Sequence, residues 1–333
     1  MILVTGGTGL VGAHLLYHLL QEHERVRATH RASSKLEEVQ NVFAYYTDTP
    51  EASFARIDWV EANITDIPAL TEAFQGVTHV YHCAAFISFN PKHYRALKKN
   101  NVEGTANVVN LCLSQGVQKL CYVSSVATLG DPLPGQPTTE ETHWNPEAKN
   151  SVYGITKYGA EMEVWRGTQE GLNAVIVNPG VILGEGYWHS GSGVLVKRAA
   201  KGVNYYTDGG TGLVDVRDVV DIMQFLMKRP VTSERFVLVA ENRSYQSLLT
   251  QFAEAFGNTP PKKQIAKWWL LLLSTLDYLG YKLFGSKRKL LKATVRSLYT
   301  HSRYDASKIT ALRKEAFLPL EETIQRVAKA YKG

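Results

Sequence analysis

Residues 1–20 read MILVTGGTGLVGAHLLYHLL, and the fold turns on how they are interpreted. Met1 to Thr5 is a short apolar run without polar alternation, the pattern of a strand buried on both faces. Gly6, Gly9 and Gly12 follow at a spacing of three. Leu10 to Leu20 then carries Leu15, Leu16, Leu19 and Leu20 on one helical face. Strand, glycine turn and helix in that order form a phosphate cradle. Glycines let the backbone turn sharply and approach a pyrophosphate, and the helix N-terminus offers free N–H groups at the positive end of its dipole. Dinucleotide binding is the first expectation. The spacing is not GxGxxG, so a strand-to-helix loop that is merely glycine-rich is the competing reading.

The chain has 333 residues, enough for one large α/β domain with an appended subdomain. At 44% hydrophobic and 20% charged, its composition is that of a globular protein. Cys83, Cys112 and Cys121 are scattered and odd in number, which suggests neither a disulfide framework nor a metal site. Met1 leads straight into the first strand and no charge-free apolar run reaches eighteen residues, so a soluble cytoplasmic protein is expected. The net charge of +6 is unevenly placed. Lys262, Lys263, Lys267, Lys282, Lys287, Arg288, Lys289, Lys292 and Arg296 face a single carboxylate, Asp277, and the rest of the chain is slightly acidic. A uniformly basic nucleic-acid binder would not look like this.

Further strands are predicted at 24–30, 56–62, 77–83, 119–124 and 172–178. Helices are predicted from the Asp66 cap to Phe74, over 91–115 and over 151–169. This alternation implies a parallel, doubly wound sheet whose ligands lie beyond the carboxyl ends of its strands. After Pro179 the rhythm loosens. A glycine-rich loop spans 184–193, a helix is expected over 216–228 and a strand over 235–240, and the chain from Ser244 onward reads as mainly helical. Residues 1–182, with 213–242 returning to the sheet, form the expected dinucleotide domain; 183–212 and 243–333 form the expected substrate-side subdomain.

Tyr153 and Lys157 stand at i and i+4 on a predicted helix and share a face. A phenol titrates near 10, too high for an efficient base at neutral pH. A neighbouring ammonium is expected to lower that value, so that Tyr153 exchanges a proton with an alcohol or carbonyl. A surface pair on an amphipathic helix is the plain alternative. Ser124 and Ser125 lie just past the fifth strand, where a hydroxyl can hold a carbonyl oxygen or simply form a turn. Asn101 sits inside a helix, which Asn disfavours; it either anchors a water in a proton relay or bonds backbone.

With TGGTGLVG at 5–12, YHCAA at 81–85, NNVEGT at 100–105, VSS at 123–125, YGITK at 153–157 and NPG at 178–180, the chain resembles an extended short-chain dehydrogenase/reductase of the NAD-dependent epimerase/dehydratase superfamily. GLVDVRDVV at 212–220 and RYDASKI at 303–309 extend the resemblance over nearly the whole chain. It implies a Rossmann-type α/β fold, with Tyr153 as acid/base, Lys157 as its partner, Ser125 orienting substrate and Asn101 completing a tetrad. It places Gly6, Thr8, Gly9, Leu10, Val11 and Gly12 at the pyrophosphate and Ala84 and Ala85 at the adenosine ribose. Ser124 would also touch the cofactor, and Pro179, Gly180 and Val181 would meet the carboxamide. Asn63 and Ile64 would lie against adenine, where Asn departs from the usual Asp. The resemblance also implies a homodimer paired through 91–115 and 151–169.

The end of the second strand reads Thr29, His30, Arg31, Ala32, Ser33, Ser34, Lys35, without a carboxylate for a ribose 2′-hydroxyl. Arg31 is placed to pair with a 2′-phosphate, so NADP(H) is the expected cofactor, with NAD(H) usable. Nucleotide-sugar members of the superfamily grip a diphosphate with an Arg where this chain has Thr211 and Gly212. By these features the chain looks like dihydroflavonol reductases and 3β-hydroxysteroid dehydrogenases, which implies reduction of a carbonyl on a fairly apolar small molecule. An epimerase or dehydratase with retained cofactor, and a dinucleotide sensor without turnover, are the alternatives. Phe86, Phe89, Tyr187 and Trp188 are candidates for an aromatic pocket, with core packing as the plain reading. Residues 268–284 either roof the pocket or small subdomain, the reading that Asp277 favours, or touch a membrane surface. No metal is expected.

Overall fold

A computed structural model of the chain describes residues 1–285, 288 and 290–332. Lys287 and Lys289 of the basic segment lie outside the described residues. The strands are β1 (Ile2–Thr5), β2 (Val26–His30), β3 (Ile57–Glu61), β4 (His79–His82), β5 (Lys119–Val123), β6 (Ala174–Pro179), β7 (Val181–Leu183), β8 (Tyr205–Tyr206), β9 (Gly210–Asp215), β10 (Glu234–Leu238), β11 (Glu241–Ser244) and β12 (Lys263–Gln264). Seven of them form one sheet in the order β10-β6-β5-β4-β1-β2-β3, every neighbouring pair parallel. This is a Rossmann-type doubly wound sheet. The strand order reverses between β1 and β4, so their carboxyl ends open a crevice where a ligand can enter.

Both faces of the sheet are covered, which is why the central strands are rich in apolar residues on both sides. Val4, Cys121, Val175 and Val177 face one core, shared with Leu15, Leu16 and Leu19 of the helix Leu10–Glu22 and with Val219 and Met223 of the helix Val216–Met227. Leu3, Leu120, Tyr122 and Ile176 face the other, shared with Val108 and Cys112 of the helix Gly104–Ser114 and with Ala160 and Val164 of the helix Val152–Gln169. Successive residues of one strand thus serve opposite layers, the period of two that a pleated strand imposes.

A smaller sheet runs β11-β9-β7. It shares a third core with the helices Gly193–Ala200, Tyr245–Phe256 and Leu320–Lys332, centred on Leu183, Leu213, Leu248, Phe252 and Ile324.

Two expectations need correction. The stretch 91–115 is not one helix. It runs as a 3₁₀ turn (Pro91–His93), an α turn (Tyr94–Leu97), a π segment (Lys98–Glu103) and then the helix Gly104–Ser114. The second concerns 268–284, which forms the helix Lys267–Phe284 but places none of its described apolar side chains in the hydrophobic cores, that of the small lobe included. One side holds Ser274, fully buried, whose Oγ donates to the Leu290 carbonyl at 2.9 Å. Trp268, Trp269, Leu272, Leu273, Leu276, Leu279 and Leu283 are all exposed. Asp277 does not require that outward side to be wet, because Arg288 Nε pairs with its carboxylate at 3.0 Å.

Candidate active site

The crevice begins at the glycine turn. Gly6 has φ +73°, and a Cβ there would lie 2.6 Å from the Ala84 backbone; only glycine permits this turn so close to the end of β4. A Cβ on Gly12 would meet the Gly6 carbonyl at 2.2 Å, so its absence lets the helix start against the turn. Gly9 differs. A Cβ there would find no protein atom nearer than 3.5 Å, so packing does not demand glycine, whereas a group resting on the turn would. Gly9 caps the helix Leu10–Glu22 without any side-chain hydrogen bond, and the first turn carries no acid. Its leading N–H groups are left for an anion, and the residues present fit a dinucleotide pyrophosphate.

This assigns different fates to two substitutions. Gly12→Ala is expected to lower stability by roughly 1–3 kcal/mol through backbone overpacking. Gly9→Ala is expected to leave stability within about 0.5 kcal/mol, as for an open site, while weakening nucleotide binding. Thermal unfolding and a fluorescence titration with NADPH read the two effects; equal destabilisation by both would contradict the assignment.

The rest of the crevice is lined by Thr8, Thr29, His30, Arg31, Ser34, Ala62, Asn63, Ile64, Cys83, Ala84, Ala85, Phe86 and Asn100. It therefore gathers most of the residues expected around the adenosine half. Arg31 heads the turn after β2, where Ser34 N donates to its carbonyl at 2.8 Å and its own N–H donates to Ser34 Oγ at 3.1 Å. Its guanidinium is exposed and has no hydrogen bond or ion pair among the described residues. Asn63 accepts from Thr65 N at 3.2 Å, which holds its turn. Ile64 is buried against Gly104, and its carbonyl accepts from Asn107 at 3.0 Å. Leu10 and Val11 open the first helix, and Val11 belongs to the core. Pro179, Gly180 and Val181 carry the chain from β6 into β7, where a Cβ on Gly180 would sit 2.5 Å from the Gly212 carbonyl.

Tyr153 stands in the first turn of the helix Val152–Gln169, which Ser151 caps by accepting from Gly154 N at 3.0 Å. Its half-buried ring packs on Phe89 with centroids 5.4 Å apart, and the Ser125 side chain lies beside its hydroxyl. Burial pushes the phenol up to about 12, with the neighbouring Ser125 opposing it. Lys157, expected to lower it, is not among the groups that shift it. The Lys157 amine points instead at the end of β5, donating to Tyr122 Oη at 2.6 Å and to the Val123 carbonyl at 2.8 Å. Tyr122 is itself fixed by stacking on His82 at 5.2 Å, and His82 Nδ1 lies 2.6 Å from Thr5 Oγ1.

Burial lowers Lys157 from its ordinary 10.5 to about 7, with Glu161 opposing. A depressed ammonium binds fewer protons folded than unfolded between those values, so its contribution to stability rises with pH across that window. The stability difference between wild type and Lys157→Met should therefore grow from pH 7 toward pH 10, the span between its two values. Chemical denaturation at several pH values checks it, and a flat difference would refute the lowered value.

Neighbouring candidates divide by direction. Ser125 opens toward Tyr153, whereas Ser124, one residue earlier and therefore on the opposite side, is buried and donates to Glu161 Oε2 at 2.5 Å. That removes the Ser124 hydroxyl from the cofactor side. Glu161 is fully buried and also accepts from Thr128 at 2.7 Å, Asn178 at 2.9 Å and Arg235 at 2.9 Å. Sequence reasoning missed it, as it missed Tyr122. Its place at i+4 from Lys157 was the available signal, since a carboxylate on a buried helix face needs donors.

Asn101 lies within the π segment and clamps the loop after β4. Its Oδ1 accepts from Phe86 N at 2.7 Å, and its Nδ2 donates to the Phe86 carbonyl at 3.0 Å and to Thr156 Oγ1 at 3.3 Å. Its carboxamide thus holds the crevice wall. Phe86 and Phe89 stay at the site. Tyr187 and Trp188 do not: they follow the Gly186 turn, which lies against Val42, and they pack on two hydrophobic cores. Among the described residues no cluster of His, Cys, Asp and Glu could hold a metal ion, and no helix is long and apolar enough to cross a membrane.

The parallel sheet, the glycine turn at its switch point and the Tyr153–Ser125 pair beyond β5 define a dinucleotide-binding protein of the extended short-chain type. A model of the NAD dependent epimerase/dehydratase family matches residues 2–239, and the chain belongs to that family. It is 31% identical over 335 residues to a protein of Synechocystis sp. named "Putative dihydroflavonol 4-reductase", covering 98% of this chain and 92% of that one. It is 28% identical over 267 residues to sterol demethylase protein B of Methylococcus capsulatus, covering 79% of this chain and 76% of that one. The crystal structure of gox2253 superposes with a TM-score of 0.82 at 26% identity, covering 100% of this chain and 98% of that one.

Proposed function

We propose that this protein is an NADP(H)-preferring oxidoreductase that reduces a ketone or aldehyde on a fairly apolar small molecule. The observation that carries the reading is the Tyr153 hydroxyl, kept protonated by burial and set beside Ser125 and Phe89. A phenol held neutral at physiological pH is in the right state to give a proton to a carbonyl oxygen. Ser125 Oγ and Tyr153 Oη supply two donors to that oxygen as charge grows on it. Exposed Phe89 and half-buried Phe86 offer an apolar wall to the group carrying the carbonyl. A nicotinamide dinucleotide, when bound in the crevice, supplies the hydride. The Lys157 ammonium has three N–H groups, of which two are occupied, so one remains for a ribose hydroxyl or for the Tyr153 phenolate after proton transfer.

The names of the two relatives, a reductase and a sterol-processing protein, support an apolar substrate. Thr211 and Gly212, where a diphosphate-gripping cation would stand, support it over a nucleotide sugar. The reading is tested by denaturing the purified, dialysed protein and assaying the supernatant for nucleotide. A freely exchanging reductase releases far less than one equivalent. One tightly held equivalent, with no consumption of added NADPH, would replace this reading with a retained-cofactor epimerase or dehydratase.

A further inference from the structure

We propose that the outward face of the helix Lys267–Phe284 docks on an anionic lipid bilayer, lying in its interface rather than across it. The inference is independent of the reaction proposed above. Trp268, Leu272, Leu276, Leu279 and Leu283 recur at i, i+4, i+8, i+11 and i+15, which aligns them in one stripe, and each is between 44% and 71% exposed. Trp269, 48% exposed, stacks on Trp268 with ring centroids 4.3 Å apart, so the stripe opens on two indoles, the side chains that settle at the boundary of lipid and water. A continuous apolar face of this length, open to water, marks an interaction site.

Charge identifies the occupant. The segment 262–296 carries nine Lys and Arg residues against Asp277 alone, and Arg288 already neutralises that carboxylate. Lys267 and Lys282 stand exposed near the two ends of the apolar stripe, with Lys292 and Arg296 exposed beyond it. An apolar stripe rimmed by cations matches lipid tails beneath anionic headgroups. A second copy of the chain would set lysines against lysines, with no further carboxylate on the helix to answer them. The helix is too short and too interrupted in its apolarity to span a membrane.

Docking would also orient the protein. Lys92 donates to the Tyr281 hydroxyl and lies 3.8 Å over that ring. Phe89, on the same loop as Lys92, packs on Tyr153 at 5.4 Å. Tyr281 stands seven residues after buried Ser274, so the inward side of the helix meets the loop beside Tyr153 while the apolar stripe faces away from it.

Flotation of the full chain with vesicles tests the proposal. The protein should rise with vesicles of equal parts phosphatidylglycerol and phosphatidylcholine, stay behind with phosphatidylcholine alone, and be released by high salt. A Leu276→Glu, Leu279→Glu double variant should float about ten-fold less, as expected from placing charge in the buried stripe. Its thermal unfolding and NADPH titration should be unchanged, since both side chains are exposed. Failure of the wild type to float with anionic vesicles would overturn the proposal, as would equal flotation of the variant. So would a wild-type dimer in sedimentation that the variant converts to monomer.

Discussion

Tyr153→Phe removes turnover and leaves dinucleotide binding intact. The substitution deletes one hydroxyl from a ring that otherwise keeps its packing on Phe89. The residues gathered around the glycine turn and Arg31 do not include Tyr153, so the affinity for the adenosine half has no reason to change. The loss falls on the proton given to the carbonyl oxygen and on one of the two donors facing it. A positioned general acid contributes about 10²–10⁴-fold, so kcat should drop by at least that range while the NADPH dissociation constant stays within about two-fold. Steady-state kinetics beside a fluorescence titration separates the two quantities. Retained activity would remove Tyr153 from the chemistry; a parallel loss of NADPH binding would mean that the ring shapes the cofactor site instead.

Arg31→Asp separates the two cofactors. The guanidinium is exposed and unpaired among the described residues, at the rim of the crevice after β2. A hydrogen bond to a charged group is worth about 1.5–3 kcal/mol, and a bidentate guanidinium–phosphate pair makes two. Removing it and installing a carboxylate adds repulsion against a dianionic phosphate, so NADPH affinity should fall by more than about 10²-fold. The same carboxylate can accept from the 2′-hydroxyl of NADH, whose affinity should hold or rise. Equal losses for the two nucleotides would contradict the assignment of Arg31.

The parts of this architecture that depend on local pattern were readable in advance. β1, β5 and β6 are mostly apolar because both sheet faces are covered, and Asp66 caps the helix that follows it, as its side chain suggests. Gly6 and Gly12 betray tight backbone contacts, while Gly9 marks space kept for a ligand. What local pattern cannot carry is direction at long range. Nothing in 91–115 distinguishes an α-helix from one broken by a π segment; the break becomes intelligible only when Asn101 is seen reaching Phe86, fifteen positions earlier. Lys157 shares a helical face with Tyr153, yet its amine is claimed by Tyr122 and Val123 on β5. Tyr187 and Trp188 read equally well as pocket or core, and the Gly186 turn decides for core. The sheet β11-β9-β7 is made of strands three to six residues long, paired across wide sequence separations, which no periodicity reveals.

The central claim is that this protein spends free NADPH on a carbonyl. The direct measurement follows NADPH absorbance with dialysed protein against a panel of aromatic and aliphatic aldehydes and ketones, with NADH in parallel. The account predicts stoichiometric oxidation of NADPH with at least one apolar member of the panel, and slower oxidation of NADH. Absence of consumption across the panel, together with nucleotide released on denaturation, would contradict it.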